Sequence, residues 1–250
     1  MRILLPPSET KRDGGTHPPL EPSALVWADA LGQLRERLID ELASVSASVE
    51  EGRAALGLSE RQAVELAHNL ELRSSPTMPA IERYTGVLYD ALGVDTLDAA
   101  ARRRVDEQVL VGSALFGLVA AGDPIPRYRM SAAARLPGVG PLAPHWRQAA
   151  TPIIDEERLG PLVIDMRSGA YRALVPVPHA VGVEVASERP DGTRRVVSHA
   201  NKQTRGEAAR ILVQQARPPA GVDEVIAALA DAGLRVEQPE PQRLVVVLAG

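Results

Sequence analysis

Cysteine is absent from this 250-residue chain, which excludes disulfides, thiolate nucleophiles, iron–sulfur ligation and thiol-based redox sensing together. Aromatic residues are scarce, 3% of the total with one Phe and two Trp. The core must therefore be aliphatic, and a base-stacking platform of several aromatics is not expected. No run approaches the ~18 apolar residues of a membrane span, and the apolar part of Met1 to Pro7 is too short for a signal peptide. A cytoplasmic protein that does not engage membranes is the expectation. His17, His68, His145, His179 and His199 show no metal-ligand spacing, and there is no Walker motif, no GxGxxG after a strand and no GxSxG elbow. No metal or cofactor is expected, and any catalysis would fall to Lys, Arg, Tyr, Ser or Thr. Lysine is nearly missing too: 26 of the 28 cationic residues are Arg, the others being Lys11 and Lys202. A lysine in such a chain invites a reason, since it is a compact charge whose pKa shifts readily, useful against a phosphate or as a base.

What is present is an uneven charge. The net charge is −4, yet residues 124–154 hold Arg127, Arg129, Arg135 and Arg147 with no carboxylate, and residues 189–217 carry seven cations against Asp191 and Glu207. Two basic segments on an acidic body predict a local anion site if the fold joins them. At the centre of the first, Leu136-Pro137-Gly138-Val139-Gly140 has the look of a helix-hairpin-helix turn, whose glycines let backbone approach a phosphate. The same residues also read as a loop joining two elements.

In chain order, Arg2 to Leu5 reads as a short buried strand stopped by Pro6-Pro7, and the loop to Gly15 lies at its carboxyl end, where ligand sites of open α/β sheets gather. Leucine spacing predicts a helix over Ala24 to Glu50. Ser59-Glu60-Arg61-Gln62 reads as a capping box opening a helix with Ala63, Val64, Leu66, Ala67 and Leu70 inward. Thr77-Met78-Pro79 starts another, with Ile81, Tyr84, Leu88 and Leu92 inward and Gly93 at its end; Thr96 caps a third, to about Asp106. Val109 to Val119 is nearly continuous apolar sequence, as for a strand buried on both faces and its exit. Strands are expected at Pro161 to Ile164 and Ala173 to Val177, and a hairpin joins Val181 to Ala186 with Arg194 to Ser198 across Pro190-Asp191-Gly192. Thr204-Arg205-Gly206-Glu207 reads as a second capping box, with Thr204 the N-cap of a helix whose free amides form an anion seat beside Lys202 and Arg205. A helix at Val222 to Ala232 and strands at Leu234 to Glu237 and Leu244 to Leu248 follow. The pattern predicts one domain, residues 1–250, of mixed α/β (α+β) class. A central mixed sheet is flanked by helices, with a helix-hairpin-helix-like element at about 127–150.

Five segments, in order, resemble the YaaA family of peroxide-stress proteins: Pro7-Ser8-Glu9-Thr10-Lys11, Tyr84 to Leu92, Gly112 to Leu118, Ile125 to Met130 and Lys202 to Arg210. The resemblance implies a cytosolic protein that protects against hydrogen peroxide by limiting free iron and the DNA damage it drives. It also implies DNA binding through a helix-hairpin-helix element, and a positively charged cleft involving Lys11, Tyr128, Arg129, Lys202, Arg205 and Arg210 with Gly138 and Gly140. In better-known members the first motif reads Ser-Pro-Ala-Lys-Thr, and Gln203 here stands for a second lysine.

The candidate phosphate or DNA cleft thus comprises Lys11, Arg127, Tyr128, Arg129, Arg135, Gly138, Gly140, Lys202, Thr204, Arg205 and Arg210, with Ser8 and Thr10 as loop contacts. Three functions compete. One is a protective protein holding DNA backbone phosphates without reading bases. Another is an enzyme on a nucleotide or nucleobase-like molecule, a phosphorylated small molecule being the partner. The third is an interaction protein whose basic face binds an acidic partner. Oligomeric state is left open.

Overall fold

The computed structural model describes residues 1–189, 193–195 and 198–249. Its main sheet contains eight strands: β1 (Arg2–Leu5), β2 (Val109–Ser113), β3 (Gly117–Ala120), β4 (Val163–Asp165), β5 (Val181–Glu188), β6 (Arg194–Arg195), β7 (Arg235–Glu240) and β8 (Arg243–Ala249). The order is β7-β8-β5-β4-β1-β2-β3, with β6 paired to β5. The inner strands β8, β5, β4, β1 and β2 are parallel, while β3, β6 and β7 pair antiparallel at the margins. This is the mixed sheet the sequence predicts.

Alternation along the parallel strands assigns the two faces. Ile3, Leu5, Val109, Val111 and Ile164 belong to the main apolar cluster. Leu4, Leu110 and Val163 point the other way, into a small cluster with Leu159. Every residue of β2 is buried, as its unbroken apolar run implies.

The helices that matter for the site are α1 (Ala28–Ser46), α2 (Val87–Leu92), α3 (Ala99–Gln108), α4 (Leu142–Ala150), α5 (Gly169–Leu174), α6 (Ser198–Gln214) and α7 (Val222–Asp231). α6 packs on α2, α3, α7 and β5. Its approach to α2 is close because Gly206 has no side chain: a Cβ there would lie 2.1 Å from the Leu88 carbonyl oxygen and 2.8 Å from Ala91 Cβ. Gly206→Ala is therefore expected to cost about 1–3 kcal/mol by overpacking, despite the ~1 kcal/mol that alanine gains in helix propensity. A urea melt equal to or better than wild type would mean that the two helices part freely.

Several expectations change. The helix at Thr204 begins six residues earlier, at Ser198, and Thr204 is a buried interior residue. Its amide is not a free first-turn donor, so the anion seat expected there does not exist. The Thr-x-x-Glu pattern misleads because Glu207 Oε1 accepts from Gln203 Nε2 (2.9 Å), an i,i+4 pair on the helix surface, instead of closing a box.

The segment 127–134 contains no helix. Asn69 explains this: its Oδ1 accepts from the Arg129 amide (2.8 Å) and its Nδ2 donates to the Arg129 carbonyl (3.0 Å), holding that residue as a neighbouring strand would. Arg135–Leu136 then pairs antiparallel with Gly140–Pro141, and α4 follows. The turn is a β-hairpin with one helix behind it, and the helix-hairpin-helix reading is corrected. The expected strand at Ala173 to Val177 is instead the end of α5 and its exit, with Ser168 as N-cap.

Asp98, not Thr96, caps α3, its side chain accepting from the Ala101 amide at 2.7 Å. Pro76–Pro79 is a short strand paired with Pro124–Ile125, and the helix after it stops at Arg83 before α2 begins. The Ser59 segment is a 3-10 turn running into a five-residue helix, with Val64 and Leu70 exposed rather than inward. Across 190–192 only Ser187 with Arg195 and Glu188 with Arg194 pair, so the hairpin is shorter than expected and lies beyond Ala186, and Ser198 belongs to α6; residues 190–192 and 196–197 lie outside the described residues.

Candidate functional site

The chain leaves β1 toward β2 on one side and leaves β4 toward β5 on the other. Adjacent strands whose connections diverge open a crevice at their carboxyl ends, where α/β proteins bind ligands. Into it run the loop after Leu5, the turn after Ser113 and residues Met166 to Ser168.

The loop after β1 is clamped. Lys11 bridges to Tyr84, the Arg12 amide donates to the Arg83 carbonyl (2.8 Å), and the Thr85 amide donates to the Thr10 carbonyl (3.3 Å). The fully buried Arg83 guanidinium adds bonds to the carbonyls of Arg12 (2.6 Å), Pro76 (3.1 Å) and Ile125 (3.1 Å). Burial lowers its pKa to about 10.

This rigid loop puts Lys11 into the protein, with only 8% of the residue exposed. Its Nζ donates to the Ser8 carbonyl at 3.1 Å and lies 4.2 Å from the centre of the Tyr128 ring and 5.4 Å from that of Tyr84. Both faces attract a cation, but they do not replace the lost hydration. Burial lowers the Lys11 pKa to about 7; Glu9, pulling the other way, is the next largest influence. At neutral pH a large fraction of the amine is unprotonated, as a base or nucleophile needs.

The Tyr128 hydroxyl stands between the Tyr84 hydroxyl and Ser113 Oγ, 2.8 Å from each, and the Phe116 amide donates to Ser113 Oγ at 3.0 Å. Tyr89 donates to the Pro6 carbonyl (2.8 Å). The phenols of Tyr84, Tyr128 and Tyr171 are pushed well up by burial, so they remain protonated. An ideal Cβ on Gly112 would lie 3.7 Å from Tyr171 Cβ and 3.6 Å from the Leu5 carbonyl oxygen, which places α5 beside the ends of β1 and β2. All four tyrosines of a chain poor in aromatics converge here.

The remaining predicted residues divide. Arg129 enters the crevice and pairs with Glu9 at 2.6 Å. Arg127 pairs with Asp13 and with Glu65 (3.3 Å). Arg205 Nη1 donates to the Met166 carbonyl at 2.7 Å, directly beyond β4. Arg210 is a structural cap, its Nη1 reaching the carbonyls of Leu92 (2.8 Å) and Gly93 (2.9 Å).

Gly206 faces Leu88 and Ala91 while Arg210 faces Leu92 and Gly93, so α6 runs in the same direction as α2. The exposed Lys202, one turn before Gly206, thus lies toward the start of α2. Gly86 is there, within 3.4 to 3.5 Å of the Thr10 and Ser8 hydroxyls measured from an ideal Cβ.

Arg135, Gly138 and Gly140 belong to the separate hairpin. The Gly138 amide donates to Glu41 Oε2 at 3.2 Å, and Arg37 donates to the Gly138 carbonyl. A carboxylate of the protein itself stands where a phosphate was expected. Gly140 is needed for its left-handed φ of 79°. The sequence reading passed over Asn69, Asp165, Arg167 and Tyr171, although the rarity of tyrosine was a usable signal for the last. Among the described residues no group of His, Asp or Glu could hold a metal ion, and no helix is long and apolar enough to cross a membrane.

The five segments of the sequence resemblance are the loop after β1, α2, the β2–β3 turn, the irregular segment through Tyr128 and the middle of α6. The family described as Peroxide stress protein YaaA matches residues 1–238. This chain belongs to the YaaA family. A UPF0246 protein of Corynebacterium efficiens is 44% identical over 250 residues, covering 99% of each chain. One of Streptomyces coelicolor is 42% identical over 246 residues, covering 97% of this chain and 94% of its own. A third, from Corynebacterium glutamicum, is 42% identical over 240 residues and 95% of each. In this YaaA chain the family's segments meet at one place, the carboxyl ends of β4, β1 and β2.

Proposed function

We propose that this peroxide-stress family member acts as an enzyme on a nucleotide or nucleobase-like small molecule, with Lys11 as its acid–base group. The observation that carries the reading is the Lys11 amine, buried between Tyr84 and Tyr128 with its pKa lowered to about 7, the value that suits proton transfer at neutral pH. The exposed Lys202 offers charge to an anionic substrate. A duplex is too broad to reach a group that is 8% exposed.

A second reading, non-specific DNA binding that limits iron-driven damage, is favoured by Arg135. It is exposed and has no ion-pair partner among the described residues. Its hairpin amide is occupied by Glu41, and Arg127 and Arg129 already hold carboxylates. These pairings weaken a phosphate track.

The test is turnover of a panel of nucleotides and nucleobases, followed by mass spectrometry, with duplex DNA binding measured in parallel. The enzyme reading expects a substrate whose conversion falls by roughly 10²–10⁴-fold in Lys11→Met. No conversion, together with salt-dependent duplex binding that Arg135→Ala weakens, would replace it with the DNA reading.

A further inference from the structure

The carboxyl end of β4 carries more positive charge than its partners neutralise. Asp165 Oδ1 accepts from the Arg167 amide (3.0 Å) and Nε (2.9 Å), and Oδ2 accepts from Arg167 Nη2 (2.8 Å). That carboxylate is fully engaged by one arginine. Two more guanidinium groups converge on the same strand end. Arg172 Nη2 donates to the carbonyls of Asp165 (2.9 Å) and Val183 (3.4 Å), and Arg205 Nη1 donates to that of Met166.

Arg172 Nε lies 3.8 Å from Asp165 Oδ1, beyond hydrogen-bond range. The Nε atoms of Arg172 and Arg205 are both buried and have no hydrogen-bond partner. Glu184, the other carboxylate acting on Arg205, is paired with Arg243 at 2.9 Å. Burial and the charge of Arg172 together lower the Arg205 pKa. Two buried, unanswered N–H donors on two like-charged groups are a costly arrangement that an anion relieves.

We propose that Arg172 and Arg205 form the seat for a single phosphate or carboxylate group at the carboxyl end of β4. Both side chains are partly open to solvent, so an anion can enter without unfolding. Planar guanidinium groups suit such oxygens, each offering more than one donor in a fixed fork. Arg167 is not part of the seat; its bond to Asp165 fixes the floor beneath it. Tyr171, next to Arg172 on α5, lies beside Gly112 and the Leu5 carbonyl at the strand ends that open the Lys11 crevice. The seat would hold the charged end of a substrate whose reactive part faces Lys11, and to that extent it rests on the enzyme reading.

Thermal shift and calorimetry on the full chain, with inorganic phosphate, adenosine 5′-monophosphate, adenosine and a short duplex at constant ionic strength, test the seat. Phosphate and the monophosphate are expected to raise the melting temperature, and adenosine is not. Arg205→Gln is expected to weaken phosphate binding at least tenfold, and the partly exposed Arg172→Gln several-fold. Arg217→Gln, on an 81% exposed side chain, should leave it unchanged. A wild-type response to phosphate no larger than to chloride, or both Gln variants binding within twofold of wild type, would overturn the seat, its donors then being satisfied by water. Displacement of phosphate by the duplex but not by the monophosphate would keep the seat, make its ligand a DNA phosphate, and defeat the small-molecule reading alone.

Discussion

Replacing Asp165 by Asn is expected to destabilise the protein by about 3–5 kcal/mol, because it leaves a buried guanidinium without its counter-charge. The Arg167 side chain is 0% exposed and packs its stem against Gly112, where an added Cβ would sit 3.1 Å from Arg167 Cδ. It cannot swing out to recover hydration without breaking the strand end. With domain stabilities of roughly 5–15 kcal/mol, such a loss approaches unfolding at 37 °C. Exposed pairs such as Arg73 with Glu36 should matter far less, within about 1 kcal/mol. Urea denaturation of Asp165→Asn measures the loss. The double variant Asp165→Asn, Arg167→Met should regain much of it, since removing both charges removes the unpaired one. A loss below about 1 kcal/mol would mean that water reaches Arg167.

The second large effect is the pH dependence of stability that Lys11 contributes between about pH 7 and 10.4. In the unfolded chain a lysine keeps its proton up to about pH 10.4, whereas in the native site the pKa is about 7. Between those values the unfolded state binds more protons, so this group makes stability rise with pH, with a slope approaching about 1.4 kcal/mol per pH unit. Below pH 7 the full cost of burying the charge is present; above about pH 10.4 it is gone. Lys11→Met keeps an unbranched chain in the space between the tyrosines and has no titration. At pH 7 this variant is expected to be more stable than wild type by up to a few kcal/mol, and the gap should close as the pH approaches 10. Denaturation curves at fixed pH values give the comparison. Parallel profiles for the two proteins would show that Lys11 titrates alike in both states.

Strand β1 was legible to the residue, because an apolar quartet ending at a proline pair admits little else. β2 was legible because its unbroken run Val109-Leu110-Val111 reads as a strand buried on both faces, whereas the return strand β3 in the same apolar run was not. Lys11 stood out through the rarity of lysine, and the loop after β1 through its place at a strand end. The arginines were not legible in the same way. Arg35 donates to the carbonyls of Phe116 (3.0 Å), Val26 (2.9 Å) and Leu118 (2.8 Å), and Arg83 binds three others. Nothing local separates an arginine that clamps backbone from one that awaits a phosphate. The hairpin failed for a similar reason: Glu41 and Asn69, which decide its geometry, are distant in sequence. At Thr204 the capping pattern could not be told from an i,i+4 surface pair until the helix was seen to start at Ser198.

The central claim concerns one amine, and the composition makes it accessible. With only two lysines in the chain, isotopic labelling of lysine gives two side-chain signals in a heteronuclear spectrum, and Lys202→Arg leaves the signal of Lys11 alone. Following that signal from pH 5 to pH 11 measures the protonation of Lys11 directly. A midpoint at about 7, with the fold intact throughout, is the result this account predicts. A midpoint near the ~10.4 of a free lysine would contradict it, leaving Lys11 a structural cation between two tyrosines.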